Sequence, residues 1–224
     1  MGNRGPKPKG NVRIKWSTNF AYAMGLLASD GCLSGDGRHI IFTSKDREQA
    51  ENFRKALNIT YKLGKKASGA TLEKKYFLVQ FCDVLFYEYL LSIGFTPNKS
   101  KTIGEIQIPE EYFFDFLRGS FDGDGSFHSY YDPRWKSSFM FYTIFVSASK
   151  KHIDWLRNEI YKRLKIQGHI THGKTASVYQ LKYAKADSSK ILKSMYNGDE
   201  AICLSRKRQK VEKALALVGK KLTT

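Results

Sequence analysis

Two carboxylates carry the chemistry that this sequence suggests. Asp30 lies in "AMGLLASDG" (23–31) and Asp124 in "LRGSFDGDG" (117–125), and aligning the two pairs Gly25 with Gly119, Asp30 with Asp124 and Gly31 with Gly125. Nothing acidic precedes Asp30, and the apolar run from Phe20 to Leu27 reads as a buried helix. An acid at a helix C-terminus adds to the negative potential of unpaired carbonyls. One such acid is unfavourable by itself. Two, brought together with helix-end carbonyls beside them, suit a hard divalent cation, and Mg2+ is the usual ion beside phosphates. The expected ligands are Asp30, Asp124 and the backbone carbonyls of Ser29 and Gly123. A calcium loop at "DGDGS" (122–126) is not expected, because Phe127 stands where the loop needs glycine and Pro133 where it needs glutamate.

The carboxylates meet only if the helices above them touch. Gly25 and Ser29 are four apart, as are Gly119 and Gly123, so each helix carries a stripe of small residues where another backbone can approach. The rest of the chain repeats as well. "IFTSKDREQAENFRKAL" (41–57) matches "IFVSASKKHIDWLRNEI" (144–160) without a gap, pairing Phe42 with Phe145, Ser44 with Ser147 and Arg54 with Arg157. The offset between copies grows from 94 at the acidic motifs to 103 here, which predicts a longer loop near Tyr130–Ser137.

Each copy reads as a buried helix (18–29; 109–122), a β-hairpin, an amphipathic helix, two strands (60–67 and 75–82; 168–174 and 177–184) and a helix (83–93; 186–196). A last helix is expected over 204–218. The fold class is therefore α+β, with two pseudo-symmetric αββαββα repeats. The divisions expected are a flexible basic arm over 1–15, a first repeat over 16–104 and a second over 105–224.

A net charge of +17 points to a polyanionic partner, above all nucleic acid. In "YFLVQF" (76–81) apolar and mixed positions alternate, as in a sheet with one covered face. Two open faces side by side would form a saddle for double-stranded DNA, with Lys62, Lys65, Lys66, Lys74, Lys75, Lys136, Lys174 and Lys182 on or beside the strands. Strand alternation gives the candidate DNA contacts in the first half as Ser34, Arg38, His39, Ile41, Thr43, Tyr76 and Gln80, with Lys62 and Lys66 on phosphates. In the second half it gives Ser126, His128, Tyr130, Tyr142, His169, Thr171, Tyr179 and Lys182, with Arg134 and Lys136 at the hairpin tip.

No segment reaches the length of an apolar membrane span, and no secretory signal is expected in the basic start of the chain. Three scattered cysteines without a CxxC pair suggest neither a disulfide framework nor a zinc site, and a reducing intracellular setting, cytoplasm, nucleoid or organelle, is expected.

Both motifs resemble the nine-residue signature of the LAGLIDADG homing endonucleases, and the duplicated layout is similar to that family's single-chain, monomeric members. The first copy departs at Ala28, where the pattern has its first acid, and the second at Ser120 and Gly123. The acid before the final glycine is present in both. The resemblance implies Mg2+-dependent hydrolysis of both strands of a long DNA site, each carboxylate serving one strand and leaving short 3′ overhangs; between an intron and an intein origin, the compact size favours an intron-encoded protein. It implies two or more divalent ions between Asp30 and Asp124, and a basic residue from each half near the scissile phosphates. "PNKSK" (97–101) and "LSRKR" (204–208) fall at the matching place, which makes Lys99 and Lys207 the candidates. Two other roles stay open on the same residues: an RNA maturase that binds intron RNA, and a DNA-binding protein that does not cut.

Overall fold

The computed structural model describes residues 10–67, 73, 75–173, 177–198 and 201–222. Helix α1 (Thr18–Asp30) begins where Ser17 accepts a hydrogen bond from Phe20 N, and every residue from Phe20 to Ala28 is buried. A helix apolar on all sides belongs at the centre of a molecule. It is followed by β1 (Gly31–Leu33), β2 (His39–Ser44), α2 (Arg47–Leu57), β3 (Gly64–Lys66), β4 (Tyr76–Cys82) and α3 (Val84–Ser92). After a linker the order recurs as α4 (Phe113–Gly123), β5 (Ser126–Asp132), β6 (Trp135–Ser147), α5 (Lys150–Leu164), β7 (His169–His172), β8 (Tyr179–Ala184) and α6 (Lys185–Met195), and α7 (Ser205–Ala216) closes the chain.

The α+β fold of two αββαββα repeats is thus observed. Each repeat holds a four-stranded antiparallel sheet, in the orders β1-β2-β4-β3 and β5-β6-β8-β7. Alternation sets the faces. In the first sheet Ile40, Phe42, Val79 and Phe81 are buried beneath α2 and α3; in the second Phe141, Phe145, Leu181 and Tyr183 are buried beneath α5 and α6. Helices α1 and α4 pack on each other between the sheets, and this is the most extensive contact between two helices.

Two expectations change. The extra residues of the second repeat do not form a long loop: β5 and β6 extend, pairing from Ser126↔Ile144 to Asp132↔Trp135, so cross-strand bonds satisfy the added backbone. In the first repeat the two strands are shorter and residues 34–38 join them, with Gly37 at φ 77°. The basic arm also ends earlier than expected. Val12 is buried, and the amides of Asn11 and Val12 donate to Asp83 Oδ2 at 2.6 and 2.9 Å, which fastens the chain to the N-terminus of α3. Residues 1–9 of that arm, together with Lys74 and Lys174, lie outside the described residues.

Candidate nucleic-acid interface and carboxylate pair

The contact of α1 with α4 is a contact of backbones. A Cβ added at Gly25 would stand 2.0 Å from the carbonyl oxygen of Phe116, and one at Gly119 would stand 2.1 Å from that of Tyr22. One turn further, a Cβ at Gly123 would strike Ser29 Oγ at 1.9 Å and lie 3.0 Å from Asp30 Oδ2. Gly25, Gly119, Gly123 and Ser29 therefore set the spacing, and the helix ends carrying Asp30 and Asp124 arrive together.

The pair is electrostatically tense. Burial, then repulsion by Asp124, pushes the Asp30 carboxyl up to about 7, against the pull of Lys207, Lys99 and the Gln49 amide. Burial likewise raises Asp124, opposed by Lys99 and Lys207. Cations relieve that tension, and two are supplied by the chain. Lys99 Nζ donates to the carbonyls of Ala28 (2.7 Å) and Ser29 (3.2 Å) at the end of α1. Lys207 Nζ lies 2.6, 2.8, 3.1 and 2.7 Å from the carbonyls of Phe121, Asp122, Gly123 and Gly125 at the end of α4. Both ammonium groups are buried, and desolvation lowers each to about 8.

This geometry differs from the sequence expectation in one respect. The carbonyls of Ser29 and Gly123 already accept from lysines, and the lysines point into helix ends rather than outward. Each carbonyl keeps a second lone pair. Among the described residues, no three His, Cys, Asp or Glu side chains gather as a metal cluster. The residues present nevertheless fit a divalent ion that takes further oxygens from phosphate. They offer two partly desolvated carboxylates whose mutual repulsion an ion would cancel, with hard carbonyl donors alongside.

Two residues at the site were not singled out from the sequence. Gln49, buried on α2, donates from Nε2 to Asp30 Oδ2 (3.2 Å) and to the Asp122 carbonyl (3.1 Å), while its Oε1 accepts from Ser44 Oγ (2.6 Å). The alignment of α2 with α5 showed Gln49 as one polar residue on an amphipathic helix, and only the tertiary packing turns it toward Asp30. Asp122 is fully buried and accepts from Tyr22 Oη (2.8 Å) and Leu204 N (2.7 Å), which joins both central helices to the start of α7. Its signal was its place at the first acid of the second motif.

The open sheet faces carry most of the candidate contacts. His39, Ile41, Thr43, Lys66, Tyr76 and Gln80 share the uncovered face of the first sheet, since Ile41 pairs with Gln80 and Lys66 with Tyr76. Ser34 and Arg38 lie in the β1–β2 connection and Lys62 is exposed before β3, while His39 is held by the Asp36 carboxylate. Cys32, Leu78 and Cys82 also fall on this face, through their pairing with or parity to the same residues. In the second sheet Ser126, His128, Tyr130, Tyr142, His169, Thr171 and Lys182 share the uncovered face, and Tyr130 stacks on Tyr142 at 6.3 Å. Arg134 and Lys136 are exposed at the hairpin end, with Arg134 paired to Asp132.

Tyr179 is the exception. It pairs with Ser147 and His172 and has the parity of buried Leu181 and Tyr183, so it lies on the helix-covered side. Tyr179 and Lys182 are three apart and cannot share a face; the open position belongs to Gln180, opposite Thr171.

No protein-family model matches the sequence, and no curated protein matches it. Solved structures do match. Full-length DUF199/WhiA from Thermatoga maritima superposes with a TM-score of 0.55 at 15% identity over 92% of this chain, which spans 62% of the WhiA chain. The I-LtrWI LAGLIDADG homing endonuclease bound to target DNA gives 0.56 at 11% identity, covering 90% of both chains. I-DmoI in complex with DNA and Mn gives 0.52 at 13% identity, over 81% of this chain and 97% of that one. The fold is the LAGLIDADG fold, with two repeats in one chain.

Proposed function

We propose that the chain is a site-specific, double-strand DNA endonuclease of the homing type, acting as a monomer with divalent metal. One observation carries this reading: two copies of one motif deliver Asp30 and Asp124 to the touching ends of two helices, between two sheets whose uncovered faces belong to a protein of net charge +17. Phosphates bind such a surface through lysine and arginine, and base edges are read by side chains that alternate along its strands.

Asp30 and Asp124, with the free lone pairs of the Ser29 and Gly123 carbonyls, would hold the metal. When bound, Mg2+ supplies Lewis acidity and an activated water for in-line phosphodiester hydrolysis. The protein's own part is positional and electrostatic. Gln49 orients the Asp30 carboxylate, the α1–α4 contact fixes the carboxylate spacing, and Lys99 and Lys207 cancel the negative helix-end potential. Their buried charges then favour the anionic phosphate as it gains charge in the transition state.

A second reading, a DNA-binding protein on the same fold that does not cut, is favoured by Lys99 and Lys207, which neutralise the helix ends without an ion. One assay separates the two. A randomised DNA library is incubated with the chain in Mg2+, Ca2+ or EDTA, beside Asp30→Asn and Asp124→Asn. Cutting at one long site only in Mg2+, lost or reduced to nicking in either variant, is the expected result. Tight binding with no cutting in any metal replaces the nuclease reading with the second.

A further inference from the structure

The two repeats do not present their carboxylates alike. At the turn from β2 into α2, Ser44 Oγ accepts from Asp46 N at 3.0 Å and donates to Gln49 Oε1, and Gln49 Nε2 reaches Asp30. The amide orientation is fixed by chemistry, since the Asp122 backbone carbonyl that Gln49 Nε2 also reaches can only accept. The matching turn of the second repeat keeps its serine: Ser149 N donates to Ser147 Oγ at 3.1 Å. The residue matching Gln49 at the offset of 103 is His152, and it turns away. Its Nδ1 bonds the Gly104 carbonyl at 2.7 Å and its ring lies on Trp155, so no amide reaches Asp124 from this helix.

The surroundings differ in the same sense. A cavity of about 270 Å3 beside Asp30 is lined by Lys45, Asp46 and Arg206, with Arg206 paired to Asp46 at 2.7 Å. The cavity beside Asp124, about 150 Å3, has Val146, Ala148 and Val178 in its wall and Lys99 as its cation. Lys45 and Asp46 of the first repeat correspond to Ala148 and Ser149 of the second.

We propose that Gln49 is a positioning residue for Asp30 with no counterpart in the second repeat, and that the two target strands are therefore cut in a fixed order, the strand served by Asp30 first. The inference rests on the nuclease reading. A carboxylate already held in one orientation loses less freedom on reaching the transition state, and a single hydrogen bond of this kind is worth about tenfold in rate.

The test uses the full chain and the duplex recovered from the library, labelled differently on each strand and followed in a single turnover with Mg2+, for the parent and for Gln49→Met. The expected result is that the parent nicks one strand first, and that Gln49→Met slows that strand about tenfold while the other changes less than twofold. A folding defect lowers both strands together, so the strand ratio isolates positioning. A second readout needs no metal: the Gln49 side-chain amide resonance of the free protein is expected to move in Asp30→Asn and to stay in Asp124→Asn. Equal parent rates, or slowing of the later strand, overturns the inference and leaves the nuclease reading in place. Absence of cutting by the parent overturns both.

Discussion

Gly119 sits so close to Tyr22 that a Cβ on the glycine would stand 2.1 Å from the tyrosine's carbonyl oxygen. Neither helix backbone has room to retreat without moving the carboxylate below it. Gly119→Ala is expected to destabilise the protein by about 3 kcal/mol, the upper range for overpacking a core. Gly35→Ala, with nothing within 4 Å of the added carbon, is expected to leave stability unchanged. Urea denaturation of the two variants checks both.

The Asp30 carboxyl, raised to about 7, sets a pH dependence of stability. Its pKa in an unfolded chain is about 4, so between those values the folded protein binds the proton more strongly. The stability cost of ionising it is full above pH 7 and disappears as the pH falls toward 4. Asp30→Asn removes that cost. The variant is expected to melt roughly 5 °C above the parent at pH 8, with the gap closing toward pH 4. Melting curves across that range test the sign.

Lys207 and Lys99 cap the ends of α4 and α1 respectively, and they do so unequally. Four carbonyl oxygens surround the first ammonium and two the second. Truncation strands those buried acceptors, each with a desolvation cost of about 1–3 kcal/mol. Lys207→Ala is expected to be the more destabilising, by about 3 kcal/mol, with Lys99→Ala roughly half of that. Denaturation midpoints at pH 7, where both lysines are charged, measure the difference.

The repeats, the central helices and the covered strand faces were legible because each depends on a local period: the four-residue spacing of small residues, and the alternation in "YFLVQF". Asp30 and Asp124 were legible because the motif occurs twice. What stayed hidden depends on three-dimensional neighbours. Gln49 looks like any polar helix residue until α2 is laid on Asp30, and the carbonyls that Lys207 caps are more than 80 residues earlier in the chain. Tyr179 was misplaced because Lys182, in the same strand, was assigned to the same face against the two-residue period.

That misplacement gives a test of the proposed DNA-facing surface. Lys182 pairs with Ile144 and His169 on the uncovered side of the second sheet, whereas Tyr179 stacks on His172 at 4.2 Å on the covered side. A lysine that neutralises one phosphate adds about one unit to the slope of log affinity against log salt. Lys182→Ala is expected to weaken DNA binding and to reduce that slope by about 1, with little effect on stability. Tyr179→Ala is expected to do the reverse, lowering stability by about 1–2 kcal/mol through lost packing while leaving the slope intact. Salt titrations of binding to the selected duplex, run beside thermal melts of both variants, measure the two effects. A change of slope in Tyr179→Ala with none in Lys182→Ala would mean that DNA lies on the other face of the sheet.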